Sequence, residues 1–237
     1  MGRRGGCGGA VVILVLAGVV LSLLLPAVAG GLVGLGLEAA GLRAEELSVR
    51  VEANPPLRLL AGRADRVVVE GTRVRWDGAT AEALAVSLDD VDLLARRAGS
   101  VTGRLEGVEA TGPVGTLVIA RIEIAGPGDG PTARLFVTPA EAIRVVLALA
   151  RGVGLVEGRV VLAPVDRVEL DVAGRRLTAR IAVVDGSVVV EGGGLPRLVV
   201  LEAGAVAGLE VRSVVISTDG GLVVEGRLDP GRLGLAG

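Results

Sequence analysis

The sequence contains no histidine, no lysine and no tyrosine, and all 25 of its basic residues are arginine. The absence of histidine removes the commonest general base and the commonest zinc ligand. The absence of lysine removes Schiff-base chemistry and the P-loop motif. No serine stands in a Gly-x-Ser-x-Gly elbow. The residues therefore select no catalytic centre, and we predict a protein that is not an enzyme and carries no cofactor.

Aromatic residues and cysteine are nearly absent. Trp76 and Phe136 are the two aromatic residues, 1% of the chain, whereas hydrophobic residues make up 51% of it. Any core is therefore built from valine, leucine, alanine and isoleucine. The single cysteine, Cys7, excludes an internal disulfide and a cysteine-based metal site. The densest carboxylates, Asp89, Asp90 and Asp92, suit either a Ca²⁺ ion or a solvated strand end. They lack EF-hand spacing, so we favour the strand end and predict no metal site.

An uncharged run, residues 5–37, follows Arg3 and Arg4 at the N-terminus. One interpretation is a signal peptide cleaved after the small residues at 27–29. The other is a retained transmembrane anchor, because about 20 apolar residues span a bilayer. Arg3 and Arg4 then stay in the cytoplasm. The spacing of Gly30 and Gly34 suits helix dimerisation in a membrane, although plain glycine richness explains it as well.

Both interpretations export the rest of the chain. The sequence predicts a signal peptide or transmembrane anchor at 1–37 and one exported β-rich domain at 38–237. That domain lies outside the cytoplasmic membrane when anchored, or in the cell envelope after cleavage. Beyond Arg4, 23 arginines and 27 acidic residues give a net charge of −4 with no basic block. This balance argues against a nucleic-acid partner.

Strict alternation of apolar and polar residues begins at residues 47–52 and recurs to residue 228. Alternation of this kind is typical of strands with one buried face and one wet face. The pairs Asp77-Gly78, Asp185-Gly186 and Asp219-Gly220 are hairpin signals, because glycine accepts a positive φ. We predict an α+β, β-rich fold. It is a curved, largely antiparallel sheet packed on one or two helices after the N-terminal apolar segment.

One helix is well marked at its ends. Thr138 is placed as N-cap, Pro139 at the first helical position and Glu141 at the third, and Gly152 suits the C-terminus. A lone amphipathic helix beside many strands packs on the sheet in most folds. Its predicted apolar face is Ile143, Val146, Leu147 and Ala150.

Three segments together resemble the LmeA-like phospholipid-binding family of bacterial envelope proteins. Residues 47–93 read LSVRVEANPPLRLLAGRADRVVVEGTRVRWDGATAEALAVSLDDVDL, with a short strand, a proline, an apolar stretch with glycine, and two paired strands. ARLFVTPAEAIRVV, residues 133–146, looks like the family's helix-opening segment. Residues 195–228 are similar to its closing hairpin, although Pro196 stands further from the last strands than the family's usual Leu-Pro does.

The resemblance implies lipid binding by an exported, membrane-associated β-rich domain and implies no catalytic residues. The partners it implies are a phospholipid or an envelope glycolipid, and a membrane. We therefore expect non-catalytic binding, transport or holding of phospholipid or a related envelope lipid at the outer face of the cytoplasmic membrane. The alternative is a structural or interaction protein of the envelope without a lipid cavity. The oligomeric state is not fixed by the sequence.

The double proline Pro55-Pro56 gives this expectation a location. Proline ends a strand, and here it places the following leucines on a loop or short turn at one end of the sheet. A sheet lined by valine, leucine and alanine leaves room for acyl chains, and arginine suits phosphate. The alternative is an ordinary crossover with buried leucines and solvated arginines. The predicted lipid-binding residues are Leu57, Leu59, Leu60, Arg58, Arg63, Arg66, Ile143, Val146 and Leu147.

Overall fold

The computed structural model describes residues 42–76, 79–112, 115–152, 158–172, 175–203 and 209–229, together with positions 30, 34 and 154. These residues form thirteen strands, a 3₁₀ turn between β1 and β2 (Pro56–Ala61) and a helix, α1 (Pro139–Gly152), between β6 and β7. The strands are β1 (Glu46–Glu52), β2 (Arg63–Trp76), β3 (Ala79–Asp92), β4 (Ser100–Gly112), β5 (Gly115–Pro127), β6 (Thr132–Val137), β7 (Gly158–Ala163), β8 (Arg167–Val172), β9 (Arg175–Val184), β10 (Ser187–Gly192), β11 (Leu195–Leu201), β12 (Leu209–Ile216) and β13 (Leu222–Leu228).

The predicted signal peptide or anchor lies outside the described residues, apart from Gly30 and Gly34. Both are helical and lie on Val49 of β1: a Cβ at Gly30 would be 2.7 Å from the Val49 carbonyl oxygen, and one at Gly34 would be 3.9 Å from Val49 Cγ2. Glycine at position 30 thus allows a close approach to the sheet. No helix within the described part of the chain is long and apolar enough to cross a membrane.

The strands form two antiparallel sheets. The larger has eight strands in the order β1-β2-β3-β4-β5-β6-β13-β12, and the smaller has five in the order β11-β10-β9-β8-β7. The antiparallel, β-rich character is as predicted. The sequence predicts one sheet, however, and the structure has two. The pairing of β6 with β13 brings the C-terminal hairpin beside the N-terminal meander, a long-range contact that no local pattern specifies.

One aliphatic core joins the two sheets and α1. It contains buried residues of β3 to β13 together with Ala142, Val145, Val146 and Ala150 of the helix. A second cluster lies under β1, β2 and β3, where Val51, Val67 and Val91 are buried. Burial of apolar surface stabilises a fold by about 25 cal/mol per Å², so these aliphatic faces hold the layers together.

The large sheet carries a row of irregularities across β2 to β5. Along these strands every second residue faces the core, but at one row the next core-facing residue is three positions further along the chain. This happens at the same level in all four strands. Because each strand has its extra residue at the same level as its neighbour, the pairing register between neighbouring strands is the same on both sides of the row. Two residues there have positive φ, 47° at Arg73 and 57° at Gly107. The four steps are Gly71 to Val74, Ala81 to Leu84, Leu105 to Val108, and Ile119 to Ile122.

The outer face of the large sheet is charged. Arg104, Glu123, Arg134 and Glu225 lie opposite one another on β4, β5, β6 and β13, so the sign alternates from strand to strand. Arg134 Nε lies 3.1 Å from Glu225 Oε2. Directly opposed unlike charges stabilise neighbouring strands. This face is therefore a solvated surface, and the apolar face is the inner one.

The helix begins as predicted. The Glu141 amide donates to Thr138 Oγ1 at 3.3 Å, which satisfies one free N–H of the first turn. The Glu141 carboxylate does not return to Thr138 but accepts from the Val118 amide at 2.9 Å and from Arg144. The helix therefore uses its first-turn carboxylate to bind β5.

The Asp-Gly signals have different outcomes. Asp185 and Gly186 have φ values of 51° and 75° and join β9 to β10, as a two-residue hairpin requires. Asp219 and Gly220 lie within the longer connection between β12 and β13. Asp77-Gly78 lies outside the described residues.

Candidate functional site

The double proline separates β1 from β2 as the sequence predicts. β1 ends at Glu52, and a 3₁₀ turn occupies Pro56–Ala61. Gly62 closes this turn with φ 71°, and its amide donates to the Leu59 carbonyl at 3.0 Å. Since glycine accepts a left-handed φ without strain, the chain turns here and enters β2 directly.

The three leucines of the turn separate into two environments. Leu57 is 53% exposed and Leu60 is 64% exposed. Leu59 is half-buried and packs on the cluster under β1, β2 and β3. Leu59 thus fixes the turn to the sheet, and Leu57 and Leu60 face solvent.

A second turn meets the first. The connection between β3 and β4 carries Leu94, which is 80% exposed. The Leu93 amide donates to the Gly62 carbonyl at 2.7 Å, and a Cβ at Gly62 would lie 2.5 Å from Leu94 Cγ. We call Leu57, Leu60 and Leu94 the leucine tip. The sequence analysis missed Leu94, although the apolar run Leu93-Leu94-Ala95 directly before two arginines is a signal that draws attention to it.

Two of the predicted phosphate-binding arginines are engaged within the chain. Arg58 forms an ion pair with Asp65, and Arg66 Nε lies 2.7 Å from Asp89 Oδ1. The hydrogen bond from Arg66 lowers the pKa of Asp89, and the same bond raises the pKa of Arg66. A phosphate must therefore compete with a carboxylate for either guanidinium.

Three other arginines beside the tip are differently placed. Arg63, Arg96 and Arg97 are exposed, and none forms an ion pair with a residue that the structure describes. The nearby Asp92 carboxylate accepts from the amides of Leu94 at 3.1 Å and Ala95 at 2.8 Å, so it closes the turn. Of the predicted arginines, Arg63 is the one available to an external anion. Arg96 and Arg97 join it from the second turn.

The helical residues of the predicted site lie elsewhere. Val146 is fully buried, and Ile143 and Leu147 are half-buried against the main core. Helix α1 packs on β7, β11 and β5, whereas the 3₁₀ turn packs on β2. The structure brings Leu57, Leu60 and Arg63 together but does not bring the helix to them.

The interior of the described fold is packed. A small, partly open apolar cavity of about 30 Å³ lies between α1 and the two sheets, lined by aliphatic residues such as Ile119 and Val145. A cavity of this size holds one or two water molecules and no acyl chain. Within the described residues, the expected acyl groove is therefore absent at this place, because valine and leucine side chains fill the layer.

A wider depression of about 480 Å³ lies on the small sheet, beside Thr178 and Gly192. Its walls are charged. Arg167 Nε lies 3.4 Å from Glu169 Oε1, and Arg180 Nη2 lies 3.0 Å from Glu191 Oε1. These pairs satisfy one another, so the depression is a solvated sheet face.

Few groups in the described part of the chain offer chemistry. No polar or charged side chain there is buried, and no three potential metal ligands cluster there. Arg144 and the Val118 amide lower the pKa of Glu141, which keeps this carboxylate ionised as a structural group. The arrangement with a distinct chemical character is the leucine tip with its arginines, which places exposed apolar side chains beside guanidinium groups.

The comparisons with known proteins add no relative. No family model, no curated protein and no solved structure matches this chain. The likeness to the LmeA-like family therefore stays a prediction from sequence pattern, and the functional argument rests on the site.

Proposed function

We propose that the protein binds phospholipid or a related envelope lipid, without catalysis, at the outer face of the cytoplasmic membrane. The observation that carries this proposal is the exposure of Leu57 and Leu60 beside Arg63, which forms no ion pair with a described residue. Burying a leucine side chain is favourable by about 1.5–3 kcal/mol. A lipid that covers both leucines supplies that burial, and its phosphate meets the guanidinium fork.

The location of the site decides how lipid is held. The interior cavity of about 30 Å³ has no space for an acyl chain, so lipid binds at the end of the sheet. A lipid bound there keeps its chains in the bilayer or against the leucines. The N-terminal apolar segment, as a signal peptide or anchor, would deliver the domain to that membrane.

A structural or interaction role in the envelope is the second candidate. The packed interior favours it, because a protein that encloses lipid needs an open apolar groove. The two candidates differ in one property. The lipid-binding protein holds phospholipid through Arg63, and the structural protein does not.

Native mass spectrometry of the full chain tests the proposal. The chain is released from detergent micelles after incubation with a bacterial phospholipid extract. We expect phospholipid adducts that decrease severalfold in Arg63→Glu. Arg159→Glu is the matched control, since Arg159 is an exposed arginine on the small sheet. Equal adducts in the wild type and both variants assign the lipid to the apolar segment and favour the structural candidate.

A further inference from the structure

We propose that the leucine tip is a membrane-docking surface that inserts into the headgroup region of an anionic bilayer. Arg63, Arg96 and Arg97 then lie at the level of the phosphates. This inference rests on the proposed lipid binding and narrows it, because the ligand becomes a bilayer surface with negative charge and not a single extracted lipid.

The apolar part of the tip has the form that insertion needs. Leu57, Leu60 and Leu94 come from two separate turns and are among the most exposed large apolar residues described. Scattered exposed leucines are ordinary on soluble proteins, but a group rimmed by polar residues marks an interaction site. On the strands of the large sheet, as far as they are described, the exposed large apolar residues Val118 and Val215 lie on the separate strands β5 and β12 and form no such group. The end of β1, β2 and β3 is therefore the part suited to a bilayer.

The two turns are held in place before any lipid arrives. Gly62 accepts a hydrogen bond from Leu93, and Asp92 binds the amides of the second turn. Asp65 binds Arg58 and accepts from the Asn54 amide at 2.5 Å. A surface that is already ordered loses little conformational entropy on binding. The leucines therefore project without a prior folding step.

Charge at the tip selects an anionic surface. Three carboxylates are engaged, Asp65 with Arg58, Asp89 with Arg66, and Asp92 with the turn amides. Two further carboxylates lie near this end of the sheet: Glu52 is the last residue of β1, opposite Arg66, and Asp90 lies two residues before the end of β3. Arg63 begins β2 directly after the first turn, and Arg96 and Arg97 follow Leu94 in the connection between β3 and β4. None of the three forms an ion pair with a described residue. Each arginine near an anionic membrane strengthens association about fivefold, so exposed arginines beside the leucines favour an anionic surface.

Spin-label accessibility in reconstituted vesicles tests the docking. The full chain carries Cys7→Ser and one label, at Leu60→Cys, at Leu94→Cys or, as a control, at Val165→Cys. Val165 is 63% exposed on the connection between β7 and β8. Vesicles are pure phosphatidylcholine or an equal mixture with phosphatidylglycerol. We expect the labels at 60 and 94 to be accessible to oxygen and shielded from a nickel chelate in the mixed vesicles. A label at 94 as open to nickel as the label at 165 overturns the proposal.

Charge variants test the selection of the membrane. The charge variant is the Leu94→Cys chain with both Arg63→Glu and Arg96→Glu. We expect each of these two substitutions to lower the ratio of inserted to withdrawn label at least fivefold, because the loss of one arginine weakens association with an anionic membrane by about that factor. Arg159→Glu is expected to leave the ratio unchanged. Equal insertion in the two vesicle types, or an equal loss in the control variant, overturns the role of the arginines.

The two sets of measurements separate the two proposals. Insertion of labels 60 and 94 without any adduct that depends on Arg63 supports docking and contradicts the binding of single lipids. Such adducts without insertion contradict docking and leave lipid binding supported.

Discussion

Gly62 and Leu94 approach each other so closely that a Cβ on Gly62 would lie 2.5 Å from Cγ of Leu94. Gly62 also has φ 71°, a conformation that side chains other than glycine adopt with strain. Glycine at this position therefore permits both the end of the 3₁₀ turn and the contact between the two turns. The leucine tip depends on this contact.

Substitution of Gly62 by alanine tests that dependence. We expect Gly62→Ala to lower the free energy of unfolding by about 1–2 kcal/mol, because alanine is strained at a positive φ and its Cβ displaces Leu94. Chemical denaturation measures the change. Gly152→Ala is the control, since a Cβ there meets nothing within 4 Å, and its effect should be neutral or stabilising by up to about 1 kcal/mol. Equal stability of wild type and Gly62→Ala would contradict this account.

The row of irregularities in the large sheet gives a second prediction. Gly107 has φ 57°, and a Cβ there would be 2.5 Å from Glu82 Cδ. We expect Gly107→Ala to destabilise the fold by about 1–2 kcal/mol, chiefly through backbone strain. The double variant with Glu82→Ala removes the contact but not the strain. Full recovery in thermal or urea unfolding of the double variant would show that the side-chain contact, and not φ, is the cause.

The lowered pKa of the Glu141 carboxyl group predicts that the stability of the fold depends on pH. Its pKa is lowered in the folded state by Arg144 and then by the Val118 amide. The ionised form therefore stabilises the fold. This contribution is fully present above the unfolded pKa of about 4.3 and is lost as the pH falls through the folded pKa. We expect Glu141→Gln to lose about 1.5–3 kcal/mol at about pH 7 and to differ less from the wild type at about pH 3. Urea unfolding at both values measures it. An equal difference in unfolding free energy between wild type and Glu141→Gln at both pH values would contradict the role of the Glu141 charge.

A substitution at Val146 tests whether the stability of the core and the membrane insertion of the leucine tip are independent. Because Val146 is fully buried, we expect Val146→Ala to cost about 2 kcal/mol of unfolding free energy. Val215→Ala is the control, since Val215 is 39% exposed, and it should change stability by about 0.5 kcal/mol or less. Spin labels at Leu94 should insert equally in both variants. A loss of insertion confined to Val146→Ala would connect the helix to the lipid site.

Local features of the fold were readable from the sequence. The alternation at residues 47–52 predicts β1, and the structure confirms it with Val51 buried and its neighbours exposed. Thr138 predicts the start of α1 because a hydroxyl N-cap satisfies a neighbouring amide. The double proline predicts the turn because proline lacks a donor for the sheet. Each signal involves residues near one another in the chain.

The candidate site was only partly readable. Leu57, Leu60 and Arg63 follow the proline break directly and share one segment. Leu94 comes from another turn, and no local pattern places it against Gly62. Leu59 has the same chemistry as its neighbours, but its side chain in the 3₁₀ turn points toward the sheet and is half-buried against the cluster under β1, β2 and β3. The face that a residue presents depends on the element beneath it.

The sequence by itself determined the strands, the helix, the strand-ending turn and the aliphatic character of the core, because these follow from backbone restriction and the alternation of polarity. The tertiary structure alone decided the division into two sheets, the packed interior and the meeting of the two turns. These depend on contacts between residues distant in sequence, as between β6 and β13. Similar valine-rich strands can pair in several orders, and the order adopted is the one whose apolar faces fill a common core.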